Sequence, residues 1–101
     1  MRRDLSRRHS IDVKTAAFKL EDQISRAMTE QGINATQLAE RLDADKGMIS
    51  RDLKGGLSHA NYQRIISVGQ ALNHDIVTLV LPRTPAKRKK KLREAFKALE
   101  R

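Results

Sequence analysis

The chain contains no cysteine and no tryptophan, and its aromatic residues are limited to Phe18, Tyr62 and Phe96. Without cysteine there are no disulfides, no thiolate metal sites and no thiol nucleophile, a composition that fits a reducing cytoplasm. With so few aromatics, a core has to be assembled from Leu, Ile, Val, Ala and Met. Long apolar runs are also missing. The longest, Ile76 to Leu81, is far too short to span a bilayer. No apolar stretch follows the arginines near Met1, so that end does not read as a secretory signal. A chain of 101 residues makes one small domain with tails. Such a domain buries a modest core, which leaves little room for a catalytic cleft with a lid.

Catalytic and metal-binding constellations are equally scarce. His9, His59 and His74 are scattered, and none stands at helical spacing from a second ligand, so no metal is expected. Gly55-Gly56 lacks the lysine and the strand context of a phosphate-binding loop. Ser50 has no histidine or acid placed to activate it. The expectation is a protein that is not an enzyme and uses no cofactor.

What the chain has in excess is positive charge, and its distribution is uneven. Of the net charge of +9, residues 1–15 carry +3, residues 16–81 carry −1 and residues 82–101 carry +7. A nearly neutral globular part flanked by cationic ends implies a polyanionic partner, with the ends supplying sequence-independent attraction to phosphate. Solubility is the plainer account of such tails, but the KRKKK block (Lys87, Arg88, Lys89, Lys90, Lys91) is more compact than solubility requires.

Read in order, residues 1–11 lack periodicity and read as a flexible basic arm. A helix is expected from Val13 to Gln31, with Asp12 as its N-cap and Val13, Ala17, Leu20, Ile24 and Met28 on one face. Gly32 is its natural stop. Three further helices begin with one pattern: an apolar residue, a capping residue, then an apolar residue four places into the helix. Ile33, Asn34 and Leu38 do this, then Ala44, Asp45 and Ile49, then Leu57, Ser58 and Tyr62. The fourth helix then runs from His59 to Asn73, with Tyr62, Ile65, Ile66, Val68 and Leu72 inward. Residues 12–74 thus form a compact all-α bundle of four helices. Asp75 to Pro82, DIVTLVLP, is β-branched and apolar on both alternating faces, and reads as a short strand. Paired with its copy across a two-fold axis through Ile76, Thr78, Val80 and Leu81, it would make a dimer; the alternative is one more short core helix. Residues 83–101 form a basic tail or helix with a thin stripe of Leu92, Ala95, Phe96 and Leu99.

The segment NATQLAERLDADKGMISRDLKGG, Asn34 to Gly56, carries the chemistry. Its first helix has an apolar stripe of Leu38, Ala39 and Leu42, and the small Ala39 allows a second helix to cross closely. The second helix, Lys46 to Lys54, uses Met48, Ile49 and Leu53 for the core. Lys46, Gly47, Ser50, Arg51 and Lys54 then face outward, which suits the major groove. The Arg51 fork can meet guanine O6 and N7 together, a contact that discriminates bases by about 1–3 kcal/mol. Its alternative is a surface pair with Asp52 or Asp45. Lys46 can reach either a guanine or a phosphate.

Helix 1, the TQLAERL helix, the turn, the MISRDLKGG helix and the ALN end of helix 4 resemble the lambda-repressor/Cro-like helix-turn-helix family of phage and bacterial regulators. The resemblance covers about half of the chain, Leu20 to Asn73. It implies base-reading positions at Lys46, Gly47, Arg51 and Lys54. Phosphate contacts are implied at Thr36, Ser50, Gly56, Ser58, His59 and Asn61. Two positions depart from the family pattern. Ala35 stands where glutamine is frequent, and Asp43 where the turn commonly has glycine; Asp tolerates the left-handed turn better than most residues. Arg2, Arg3, Arg7 and Arg8 could enter an adjacent minor groove, or simply form an unstructured terminus.

The function expected is a cytoplasmic, nucleoid-associated, homodimeric regulator of transcription that reads double-stranded DNA at an inverted repeat and represses by blocking polymerase. The KG-M-ISRDLKGG segment followed by a β-like run also resembles antitoxins with this type of DNA-binding domain, in which the C-terminal part would neutralise a toxin. A third possibility is a non-specific nucleic-acid packaging protein driven by its tails.

Overall fold

Two side-chain caps divide the middle of the chain into helices. Asn34 Oδ1 accepts from the Gln37 backbone N–H at 2.8 Å, and Gln37 Oε1 accepts from the Asn34 N–H at 2.9 Å. This reciprocal box starts α2, Ala35–Leu42. Eight residues later the helix stops at Asp43, which adopts the left-handed conformation (φ 49°, ψ 47°) and donates its N–H to the carbonyls of Ala39 and Glu40. Asp45 then caps α3, Lys46–Leu53, accepting the Met48 N–H at 3.0 Å. The computed structural model describes residues 2–100, with side chains from Arg7 onward. Those residues form only helices: α1 (Arg2–Gln31), α2, α3, a 3-10 turn (Gly56–His59), α4 (Tyr62–Ala71) and α5 (Pro85–Leu99).

The core is small and aliphatic, as the composition requires. Ile24, Ala27 and Met28 of α1 meet Ile33, Leu38 and Ala39, Ile49 of α3, Leu57 of the turn, and Val68 and Leu72 at the end of α4. Leu38, Ile49 and Leu72 are almost wholly enclosed, each a burial that stabilises by about 1.5–3 kcal/mol. α2 packs on both α3 and α4, and the 3-10 turn is held between α1 and α3. The carbonyls at the end of α4 are satisfied from outside: Gln31 Nε2 donates to Leu72 O at 2.7 Å and Arg41 Nη1 to Ala71 O at 2.9 Å.

One polar residue enters this core. Asp52, 4% exposed, is on the buried side of α3 next to Ile49. Its carboxylate is gripped by the Arg64 guanidinium of α4, through Nε at 2.9 Å and through a second bond from Nη2. The bidentate pair ties α3 to α4 across the 3-10 turn.

Four expectations need correction. The first helix begins at Arg2, not Val13, so residues 2–11 are helical rather than a flexible arm. Nothing in that stretch breaks a helix, and the exposed turn from Arg7 to Asp12 needs no apolar periodicity. Asp12 is consequently not a cap; it lies within α1 and accepts from Arg83 Nη2 at 2.6 Å. The fourth helix begins at Tyr62 and is capped by Asn61, whose Oδ1 accepts the Arg64 N–H at 2.8 Å. Leu57 and Ser58 lie in a separate 3-10 turn, Ser58 donating to Gly55 O at 3.2 Å, and Tyr62 is exposed rather than inward.

The fourth correction is the strand. Among the described residues there is none, and residues 74–82 have no regular secondary structure. The segment is instead a strap fastened by side chains. Ile76 packs so closely on Gly69 that a Cβ there would lie 2.6 Å from Ile76 Cγ1, and Thr78 bonds the Tyr62 hydroxyl. With these anchors and the Asp12–Arg83 pair, the chain follows its own helices. Val80, 92% exposed, is left facing out.

The Asp52–Arg64 pair generates a prediction. Arg64→Met strands a buried carboxylate and should cost about 3–5 kcal/mol of stability, whereas adding Asp52→Leu to it should recover most of the loss. Urea unfolding of the two variants checks this; a single variant losing less than about 1 kcal/mol would show that the pair is peripheral.

Candidate nucleic-acid interface

α3 has its buried residues on one side only. Ile49 and Asp52 are enclosed, Met48 and Leu53 half-buried. Around the remaining arc Lys46, Gly47 and Arg51 are exposed, Ser50 is half-buried, and Lys54 is exposed just after the helix as its C-cap. Four of the five residues expected to face outward are therefore exposed, three of them cationic, and Ser50 is half-buried.

The cations on this arc stand outside the ion pairs of the fold. Of the two acids expected as partners for Arg51, Asp52 is paired with Arg64 and Asp45 accepts the Met48 N–H as the cap of α3. Among the described residues none of Lys46, Arg51 and Lys54 takes part in an ion pair. Gly47 has a local role as well. A Cβ there would stand 3.0 Å from Asp45 Oδ2, so the glycine leaves room for the capping carboxylate. Gly56 is more constrained, since a Cβ would come within 2.7 Å of the Arg51 carbonyl oxygen and 3.3 Å of Asp52 Oδ1. Chain and helix approach each other too tightly there for any side chain.

The expected phosphate-facing residues border this arc unevenly. Thr36 is half-buried in the first turn of α2, and Ser50, Gly56 and Ser58 are half-buried too. His59 and Asn61 are exposed, although the Asn61 carbonyl oxygen is occupied in capping α4. Arg7 and Arg8 are exposed on α1, while the side chains of Arg2 and Arg3 lie outside the described residues. Lys87, Arg88, Lys89, Lys90 and Lys91 are all exposed on the first turns of α5. Of the four expected dimer residues, Ile76 and Leu81 are half-buried and Thr78 and Val80 exposed.

Sequence reasoning missed Asp52 and Arg64 as positioning residues. The signal was present: Asp52 stands three residues after Ile49, on the inward arc, where an acid must find a cation. It also missed Gln37, the second half of the α2 capping box.

Among the described residues no group of three His, Asp or Glu side chains converges for a metal ion, and no helix is long and apolar enough to cross a membrane. No family model, no curated protein and no solved structure matches the chain.

Since Asp45 alone caps α3 with a side chain, Asp45→Ala should cost about 1 kcal/mol of stability, and Asp45→Asn should retain most of it. Thermal unfolding of both variants tests the claim, and equal losses would indicate that charge rather than capping matters at this position.

Proposed function

We propose that this chain is a sequence-specific double-stranded-DNA-binding regulator of transcription, a repressor in which α2, the Asp43–Asp45 turn and α3 act as a helix-turn-helix. The observation that carries the reading is the outer arc of α3, whose cations form no ion pair among the described residues. Lys46, Gly47, Arg51 and Lys54 are exposed with Ser50 half-buried among them, and Asp52 is paired with Arg64. A helix with small residues between long cations can approach base edges in the major groove closely. Arg51 reads a guanine and Lys46 a guanine or a phosphate. The Gly56–Asn61 segment and Thr36 lie to either side as phosphate contacts. Two copies on an inverted repeat place two such helices about one helical turn apart. Val77, Leu79 and Val80, exposed on the strap, are the apolar surface for the second copy. Lys87 to Lys91 on α5 add attraction to the backbone without sequence preference.

A second reading draws on α5. Its apolar stripe includes Phe96 and Leu99, both exposed. A basic helix with a bare apolar face is suited to a protein partner, as in an antitoxin that also represses its own promoter. Growth arrest on depletion, with a toxin frame adjacent, would favour that reading over a simple repressor.

Arg51→Ala removes no intramolecular ion pair, so the variant should fold as stably as the parent. Its base preference should fall by about 1–3 kcal/mol at one position in each half-site. Selection of bound duplexes from a random pool measures this, and an unaltered motif would count against Arg51 as a base reader. Equal affinity of the parent for every duplex would point instead to non-specific packaging. Deleting residues 87–101 should weaken binding to all duplexes alike. If about four phosphates are neutralised there, the log–log salt slope flattens by roughly 3.6. An unchanged slope would remove α5 from the DNA.

A further inference from the structure

The outer half of α1 has one side with an unusual pattern. Arg7, Ile11, Lys14 and Phe18 follow each other at spacings of four, three and four residues, which places them in a single row along the helix. All four are exposed, Phe18 to 69%. The row alternates cation and apolar group, and it runs beside the face that carries Ala17, Leu20 and Ile24, which bind α1 to the core. At its inner end it runs into the candidate interface. Lys14 and Phe18 line one shallow groove with Gly55, Ser58 and His59, and the half-buried Glu21 closes the groove beyond them. Asp12, the acid beside the row, is neutralised by Arg83 at 2.6 Å.

We propose that this row is a second DNA-binding element, resting on the DNA-binding reading above: α1 lies as a rigid helix along the sugar–phosphate backbone outside the half-site. Arg7 and Lys14 bind phosphates, and Ile11 and Phe18 pack on deoxyribose between them. The alternation fits a backbone in which charged phosphates and apolar sugar faces also alternate. The groove shared with Ser58 and His59 makes the row continuous with the phosphate-facing loop. The helical state also decides how these cations are used. An α-helix with its side chains is about 10–12 Å across, while the minor groove is about 6 Å wide. Arg7 and Arg8 therefore do not thread into that groove as a flexible arm would; the helix runs over the surface. From Arg7 to Phe18 the row extends about 16 Å, the axial length of about five base pairs. Each half-site thus gains a flank that is bound but not read.

The test uses the full chain and the duplex recovered by selection from a random pool. One version is trimmed to the inverted repeat, and the other carries about six further base pairs on each side. The parent should bind the flanked duplex about tenfold or more tighter than the trimmed one. Arg7→Gln/Lys14→Gln should abolish that gain and flatten the salt slope by about 1.8 on the flanked duplex, leaving base preference unchanged. Ser10→Pro, exposed and off the row, interrupts the helix between Arg7 and Lys14 and should reduce the gain to a similar extent. Equal affinity of the parent for both duplexes would overturn the proposal while leaving the α3 reading intact, provided Arg51→Ala still alters the motif. A flank gain that survives Ser10→Pro would overturn the rigid-helix mode in favour of a flexible arm. If no duplex is recovered by selection, both readings fall together.

Discussion

α3 has eight residues, too few to be helical on its own in water. Its existence and its aim both depend on how its one inward side is held. Ile49 provides burial, which is non-directional and would let a short helix roll about its axis. The two parallel bonds from Arg64 to Asp52 have a direction, so they fix the roll. Replacing a buried ion pair with apolar residues is often neutral or better for stability. The pair is therefore better understood through orientation than through net stabilisation. It turns Lys46 and Arg51 outward because Asp52 is turned in.

The same pair sorts the charges. The segment from Asp43 to Asp52 contains three acids, none of which forms an ion pair with Lys46 or Arg51. Asp43 terminates α2 in a left-handed turn, Asp45 is bonded to the Met48 N–H, and Asp52 is bonded to Arg64. Asp45 and Asp52 thus do structural work on the inner or leading side of α3, and the cations are left on the outer side. A surface with this division is locally cationic although residues 16–81 carry a net charge of only −1. Net charge alone would have hidden it.

Where side-chain chemistry acts locally, the sequence was a good guide. The caps at Asn34 and Asp45, the turn at Asp43 and the inward set Leu38, Ala39 and Ile49 all follow from residues within one helical turn of each other. Legibility ended where the deciding partner was distant or where two local solutions competed. Ser58 and Asn61 are both good caps three residues apart. Leu57 goes into the core through a 3-10 turn, which leaves Asn61 to start α4. The alternation in residues 75–82 is the pattern of a strand, but no complementary edge exists within the described residues. Ile76 finds Gly69 and Thr78 finds Tyr62 instead. The Asp12–Arg83 link joins residues far apart in the chain, and no periodicity could announce it.

The ends of the chain follow from charge. Burying the cations of α5 would require stripping each of water without enough acids to pair them, so this helix has no buried residue, and Arg7 to Asp12 of α1 are exposed as well. Helicity there has to come from the residues themselves. Ala, Leu, Lys, Arg and Glu, which dominate Pro85–Leu99, are strong helix formers, and Pro85 at the first position suits a helix start. Such helices hold their cations at fixed spacings. A disordered tail of the same composition would attract phosphate equally at long range, but it would lose more conformational entropy on each contact. Helical ends keep the attraction and reduce that loss, which is the advantage a small, nearly neutral core obtains by leaving its charged helices outside.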